Sequence, residues 1–360
     1  MHSLMRRAWV DVDLGALLQN GTAYAARAGV PLLPMVKADA YGLGMVPVAR
    51  ALERLDPWGF GVATVAEGEE LRQSGMTRPI VVFTPLLVDD LGAAAKAGLT
   101  PTLGARETIA RWRDTGRPWQ LAIDTGMSRA GIQWNELGSI ADLVEAFPPE
   151  GAFTHFHSAD VADESRATQE ERFTRAIATL PVRPTMLHAE NSSAVERRGQ
   201  SPWTVARPGI FLYGVGIGVE SGLTPCHVAT VHARVVDLRV IEDGETVSYG
   251  ATYRALGRRR IATLGIGYAD GYRRILGNHA VALVGGRRAP VVGVVTMDMT
   301  MLDVTDVPCE MGDVATLIGR DGDDELTVSD IARFGGLSPY EVLTGLRGRL
   351  PRRYVGGDAE

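Results

Sequence analysis

The chain has 360 residues, a formal net charge of −6, 45% hydrophobic residues and 22% charged residues. This length exceeds what one ordinary core supports and points to two domains of globular composition. The acidic balance argues against nucleic acid or an anionic membrane surface as partner, and no apolar run approaches the roughly 18 residues of a membrane span.

Residues 1–9 show neither the apolar stretch nor the cleavage site of a signal peptide. Cys226 and Cys309 are too few for a disulfide framework and read as thiols of a reducing compartment. The expected location is therefore cytoplasmic.

From Trp9 onward, short apolar runs alternate with amphipathic stretches. The runs are 9–12, 31–36, 59–63, 80–83, 99–103, 119–123, 151–155, 185–187 and 204–206. Helical patterns lie between them at 66–72, 135–146, 168–178 and 192–198. Alternation of strand and helix implies a parallel sheet, and eight such units fit an α/β fold of the (β/α)8 TIM-barrel type. Nine runs leave one strand over, and the first, 9–12, is expected outside the barrel. Beyond Pro225 the pattern becomes β-rich, with strands expected at 228–241, 261–266, 280–284, 290–297 and 315–318 and short helices near 328–334 and 338–343. The predicted organisation is a barrel over residues 10–225 and a smaller, mostly β C-terminal domain over 226–360, with residues 1–9 associated with the latter.

Chemistry in a barrel gathers at the C-terminal ends of the strands. Lys37 closes the run Pro34-Met35-Val36. A lysine in that position is poorly hydrated, its pKa falls, and its amine suits a Schiff base with an aldehyde cofactor. Only Lys37 and Lys96 are lysines among 37 basic residues, so a plain surface cation would here be an arginine. Lys96 ends a helical segment, where the macrodipole accounts for it. His155 and His188 also close apolar runs, and His157 follows two residues after His155. No ordered set of Asp, Glu or Cys joins them, so no metal site is expected. Asn191-Ser192 and Arg207-Pro208-Gly209-Ile210 follow the last strands, where barrels hold phosphate.

These residues fall in ordered motifs. Val36-Lys37-Ala38-Asp39-Ala40-Tyr41-Gly42 closely resembles the cofactor-lysine segment of the alanine racemase family. Asp124-Thr125-Gly126-Met127-Ser128-Arg129, Thr154-His155-Phe156, His188-Ala189-Glu190-Asn191-Ser192, Arg207-Pro208-Gly209-Ile210, Ser248-Tyr249-Gly250, Gly267-Tyr268-Ala269-Asp270-Gly271, Met297-Asp298 and Pro351-Arg352 resemble it in the same order. The likeness runs from about Trp9 to Arg353.

The resemblance implies a pyridoxal 5'-phosphate (PLP) enzyme, an isomerase of L- and D-alanine supplying D-alanine to peptidoglycan. It acts as a homodimer with shared active sites. It makes Lys37, which carries the cofactor, and Tyr268, from the partner subunit, the two acid–base groups on opposite faces of the substrate α-carbon. A free tyrosine has a pKa of about 10, so forming its phenolate at pH 7 costs about 4 kcal/mol. The resemblance supplies a helper: His155 hydrogen-bonds Tyr268, and Arg207 touches both His155 and the pyridine nitrogen. An arginine there keeps its proton and leaves the nitrogen unprotonated, which weakens the cofactor as an electron sink. Tyr41, Asn191, Ser192, Gly209 and Ile210 are implied around the cofactor. Arg129 and the backbone of Met297 receive the substrate carboxylate. His157, His188 and Asp298 stand behind these groups.

Five positions depart from the family pattern. Ala122 replaces a lysine that becomes carbamylated and orients the Arg129 equivalent, so an anion such as chloride or another carboxylate takes that part. Leu43 replaces a histidine, Val294 an arginine and Gly348 a tyrosine that contacts phosphate. His157 replaces a small residue, and is expected to substitute for the lost arginine in the network around His155.

Alternative readings remain on the same scaffold: a serine or lysine racemase, a basic amino-acid decarboxylase, or a PLP-binding carrier or regulatory protein without turnover. A decarboxylase calls for a carboxylate where Arg207 stands and a reactive late cysteine, for which Cys309 lacks a motif. A carrier has no use for the second domain bearing Tyr268.

Overall fold

The computed structural model describes residues 6–218 and 222–357. Its first strand, β1 (Ala8–Asp13), lies outside the barrel. The barrel staves include β2 (Phe60–Val62), β3 (Ile80–Val82), β4 (Thr100–Leu103) and β5 (Gln120–Asp124), with the short β6 (Ile132–Gln133) beside β5. They continue with β7 (Gly151–Phe153) and β8 (Met186–His188). The order β2-β3-β4-β5-β7-β8 is parallel throughout. Covered by helices outside and side chains inside, these strands are buried on both faces, hence their unbroken apolar runs.

Two further staves, residues 31–36 and 204–206, close the ring. Thr204 N–H donates to Leu187 O at 2.9 Å, Leu33 N–H to Ala206 O at 2.8 Å, and Val36 N–H to Gly61 O at 2.8 Å. They form isolated bridges rather than a ladder. The reason is local: Pro31 and Pro34 have no N–H to donate.

The C-terminal part is built on β9 (Ala229–Ile241), β10 (Thr246–Val247), β11 (Tyr253–Arg254), β12 (Arg259–Leu264), β13 (Val281–Val284) and β14 (Arg287–Pro290). It is completed by β15 (Thr300–Asp303), β16 (Val314–Asp321), β17 (Asp324–Leu326) and β18 (Arg352–Val355). β1 inserts between β9, antiparallel, and β18, parallel, so residues 8 and 9 belong to this sheet. Residues 1–5 and 358–360, which the expected boundaries include, lie outside the described residues.

Two expected elements differ. The strand expected at 290–297 ends at Pro290 as the end of β14, which pairs with β13, and pairing with β12 begins only at β15. Side chains take over the backbone groups between: Asn278 Oδ1 accepts from Gly293 N at 2.6 Å and Ser248 Oγ donates to Val294 O at 2.8 Å. The helix expected at 135–146 splits into a 3-10 turn, Leu137–Ile140, and a helix, Ala141–Ala146. Gly138 and Ser139 are poor helix formers, and Ser139 Oγ bonds back to Glu136 O. No helix among the described residues is long and apolar enough to cross a membrane.

Candidate active site

The C-terminal ends of the staves surround a cavity of about 630 Å³. Lys37, Tyr41, Arg129, His155, Asn191, Ser192, Arg207, Gly209 and Ile210 all line it. Tyr268, Met297, Asp298, His157 and His188 do not.

Lys37 stands where the stave ends and a left-handed turn begins. Ala38, Asp39, Ala40 and Tyr41 have φ between 51 and 56°. Such a conformation costs L-residues roughly 1–2 kcal/mol each, and of Ala-Asp-Ala-Tyr only the aspartate tolerates it comparatively well. Surrounding bonds hold it. Glu67, in a capping box with Thr64, takes Ala38 N–H on Oε1 at 2.7 Å and Ala63 N–H on Oε2 at 2.7 Å. Asp39 Oδ1 accepts from Met45 N at 2.8 Å. The turn therefore aims Lys37 and Tyr41 into one cavity over only four residues. Burial lowers the Lys37 pKa, and the guanidinium of Arg129 lowers it further against the pull of Glu67. The amine thus loses its proton more readily than a surface lysine, as a nucleophile or base requires.

Opposite lies a polar cradle. Ser192 Oγ accepts from Gly209 N at 2.9 Å and Phe211 N at 3.3 Å, and Asn191 Oδ1 caps Ala194 N at 3.0 Å. A Cβ on Gly209 would sit 2.5 Å from the Tyr41 hydroxyl, so only glycine leaves that hydroxyl beside the backbone. A lysine with a lowered pKa at one wall, hydroxyls and small residues at another, and a buried guanidinium at the base together fit an aldehyde-bearing phosphate cofactor with a basic ring nitrogen.

Arg207 is that guanidinium. Its Nη1 donates to His188 Nδ1 at 2.9 Å and His188 O at 2.6 Å, and its Nη2 to Thr154 O at 2.8 Å and Ala189 O at 3.1 Å. Its carbon lies 5.4 Å from the Phe153 ring centre and 5.9 Å from that of Phe83. Burial pushes its pKa down to about 10, so it stays charged at neutral pH. Because His188 Nδ1 accepts, its Nε2 carries the hydrogen toward Gln120 Oε1 at 3.3 Å, and Gln120 Nε2 donates to Glu150 Oε2 at 3.2 Å. This chain runs down the barrel and corrects the expected arrangement. Arg207 directs its hydrogen bonds to His188 and backbone carbonyls, not to His155. His155 is pushed down to about 3 by burial, Arg207, Arg129 and Lys37, and is neutral near pH 7.

Arg129 is exposed at the rim and has no ion-pair partner among the described residues. Asp124, the carboxylate nearest in sequence, shapes the loop instead, accepting from Gly126 N, Ser128 N and Gln133 Nε2. None of its hydrogen bonds goes to Arg129. The part expected for His157 is likewise corrected: it is exposed, and its Nδ1 pairs with Ser158 Oγ at 2.7 Å. Gln169 does the joining that was expected of it. From the helix Ser165–Ala178, its Nε2 donates to Thr125 Oγ1 at 3.1 Å and His155 O at 3.0 Å, while its Oε1 accepts from His157 N.

Sequence reasoning missed Glu67, Gln120, Gln169 and Tyr340. Tyr340 lines the cavity, with its ring 5.9 Å from that of Tyr41. It stands near the start of the helix Pro339–Thr344, opened by a Ser338/Glu341 capping box. That box was readable as a helix start, but nothing in the sequence says the helix abuts the barrel.

Glu190 is a buried acid behind the cradle. Its Oε1 lies 3.2 Å from Arg198 Nη1, while Oε2 has no partner among the described residues. Burial raises its pKa to about 7, against about 4.3 in an unfolded chain. The folded state therefore holds this proton more tightly, and the resulting stability is full below pH 4 and lost as pH rises through 7. We expect Glu190→Gln to remove that loss, so that urea unfolding of the apoprotein weakens less between pH 5 and 8 than in the parent. Equal slopes would mean that Glu190 is ionised throughout.

Comparison with known proteins agrees with this geometry. Residues 12–216 match the model of the alanine racemase N-terminal domain, and residues 228–354 that of the C-terminal domain. An alanine racemase of Deinococcus radiodurans is 40% identical over 97% of this chain and 99% of its own. One of Symbiobacterium thermophilum is 38% identical over 99% of each. The crystal structure of the Enterococcus faecalis alanine racemase superposes with a TM-score of 0.92 at 29% identity, covering 98% of this chain and 99% of the other. That of Bartonella henselae, which carries covalently bound pyridoxal phosphate, gives 0.90 at 28% identity over 97% and 99%. With both domain models matched in order and the cavity residues in place, this chain belongs to the alanine racemase family.

Proposed function

We propose that the protein interconverts L- and D-alanine by a two-base mechanism with PLP held on Lys37. The observation that carries this reading is one cavity joining a lysine of lowered pKa to a buried, permanently charged Arg207. Tyr41, Asn191, Ser192, Gly209 and Ile210 would hold the cofactor phosphate, with His155 and Arg207 beside the ring. When bound, the cofactor draws electrons from the α-carbon of an attached amino acid and acidifies its hydrogen. Arg207 would face a basic ring nitrogen without releasing a proton to it, and so would limit that electron withdrawal. Arg129, which has no ion-pair partner among the described residues, takes the substrate carboxylate.

Lys37 Nζ, its proton readily lost, removes or returns the hydrogen on one face. The opposite face needs a second group, and the two phenols of the cavity, Tyr41 and Tyr340, have pKa values that burial raises. Tyr268 stands 37% exposed elsewhere on the same chain, beside Met297 at 53%. Their exposure suits presentation to a second copy, so we read the enzyme as a homodimer in which Tyr268 and the Met297 N–H complete the partner's site. We place the domain boundary near residue 225, and the enzyme in the cytoplasm, supplying D-alanine to peptidoglycan.

The test is to incubate the protein and PLP with L-alanine in D₂O, following optical rotation and α-deuteration, with L-serine and L-lysine in parallel. Rotation decaying to zero with α-deuteration, fastest for alanine, is the expected result. Faster turnover of serine or lysine would transfer the assignment to those substrates. Absence of α-exchange with all three would replace it by a PLP carrier.

A further inference from the structure

Tyr268 and Met297 lie on two turns, 265–271 and 296–299, that behave as one body. Tyr268 N–H donates to Thr296 O at 2.9 Å and Ala269 N–H to Met297 O at 3.0 Å. A Cβ on Gly267 would lie 2.3 Å from Thr296 O, so the two backbones touch. Met297 N–H has no acceptor among the described residues, which leaves it available beside the Tyr268 side chain.

Beneath this pair, Asp270 is fully buried and shared by arginines from opposite ends of the chain. Its Oδ2 accepts from Gly267 N at 3.0 Å. Its Oδ1 takes Arg7 Nη2 at 2.9 Å and Arg349 Nε at 3.2 Å. Each arginine then reaches the second turn: Arg7 Nη1 donates to Asp298 O at 3.1 Å, and Arg349 Nη2 to Asp298 Oδ1 at 2.7 Å. Arg7 Nη1 also holds Gly265 O at 2.9 Å.

We propose that Arg7 and Arg349 are positioning residues for the known reaction: by clasping Asp270 and Asp298 together they fix the Tyr268 hydroxyl relative to the Met297 N–H. This rests on the reading of Tyr268 as the second acid–base group. Neither arginine touches substrate. Their donors fork between the two turns, which a single point charge cannot reproduce, and a turn free to slide would misplace the phenol. Misplacement by about 1 Å costs on the order of tenfold or more in rate.

The clasp predicts an asymmetry that mere destabilisation does not. When Tyr268 is misplaced, the α-hydrogen facing Lys37 still leaves to Nζ, Nζ exchanges it with D₂O, and a deuteron returns to the same face. One enantiomer of alanine then gains α-deuterium without inverting, and the other does not. The experiment compares the PLP-loaded parent, Arg349→Ala, Arg349→Lys and Tyr268→Phe in D₂O, starting from each enantiomer. It reads kcat, KM, PLP content, dimer mass and the ratio of deuteration with retention to inversion. Arg349→Ala keeps Arg7 on Asp270, so the carboxylate retains a cation.

For Arg349→Ala we expect unchanged PLP content and dimer mass, kcat lower by about tenfold, and a raised ratio for the same single enantiomer as in Tyr268→Phe. Arg349→Lys should recover part of the rate. A raised ratio in Tyr268→Phe but not in Arg349→Ala, or equal loss in both directions without retention, would reduce the clasp to a structural tie. No asymmetry in Tyr268→Phe would overturn the reading of Tyr268, and the clasp with it.

Discussion

Lys37→Ala is expected to abolish racemisation, with kcat falling by about 10⁴ or more, because one substitution removes both the cofactor's covalent anchor and one of two proton-transfer groups. The protein should still fold. Lys37 follows the stave rather than packing within it, and the turn 38–41 is held by Glu67 and Asp39, which the substitution leaves intact. PLP added to the variant should pass through gel filtration unbound, whereas the parent keeps its visible absorbance. The scarcity of lysine makes the assignment unusually clean. After borohydride reduction of the parent, the pyridoxyl group can rest on only two internal side chains, Lys37 and Lys96. Peptide mapping should find it on Lys37, with Lys96→Ala fully active. Modification of Lys96 instead, or retention of activity in Lys37→Ala, would remove the basis of the proposed mechanism.

Arg207→Met should cause the largest loss of stability. The guanidinium satisfies His188 Nδ1 and the carbonyls of His188, Thr154 and Ala189, all inside the barrel. Methionine fills a similar volume, but leaves these acceptors without donors, at about 1–3 kcal/mol for each that water cannot reach. Allowing for local relaxation, we expect the apoprotein to lose about 3–5 kcal/mol in urea unfolding, as when one partner of a buried charged network is removed. Arg207→Lys should lose less stability but still impair activity, since one ammonium cannot span His188, Thr154 and a ring nitrogen together. A loss below about 1 kcal/mol for Arg207→Met would show that water replaces the guanidinium, and that the chain His188–Gln120–Glu150 is not anchored by it.

The two predictions differ in how visible their residues were. Lys37 could be singled out because apolar residues precede it and because the chain otherwise uses arginine for surface charge. Its left-handed turn could not, since alanine and tyrosine carry no preference for positive φ. That conformation is held because Glu67, thirty positions later, binds the backbone of the turn at Ala38 and the Asp39 side chain ties the turn to Met45 N. Arg207 was readable from its motif, yet its hydrogen-bond partners were not: the expected neighbour His155 shares the cavity with it, but His188 and three carbonyls take its hydrogen bonds. A motif names a residue type at a position, but the direction of five guanidinium N–H groups depends on which acceptors the closed barrel places within 3 Å.

The same division runs through the fold. Hydrophobic periodicity is a local property, so alternating runs sufficed to predict the barrel and the change to a β-rich region after Pro225; nine runs for eight staves left one strand over, and its pairing with β9 and β18 shows it to be the first. The closing staves were legible as apolar runs, but their reduction to single bridges follows from Pro31 and Pro34 meeting particular neighbours. The strand expected at 290–297 stops at Pro290, and beyond it Asn278 and Ser248, remote in sequence, take the backbone groups of Gly293 and Val294. Composition, the two lysines and the ordered motifs by themselves determined the family and the candidate acid–base residues. Only the tertiary structure decided that Tyr340 joins the cavity, that His157 does not serve His155, and that Arg7 and Arg349 meet on Asp270. Those pairings span up to most of the chain, and no local pattern encodes them. They are set by which buried donors and acceptors must be satisfied once the two domains have packed.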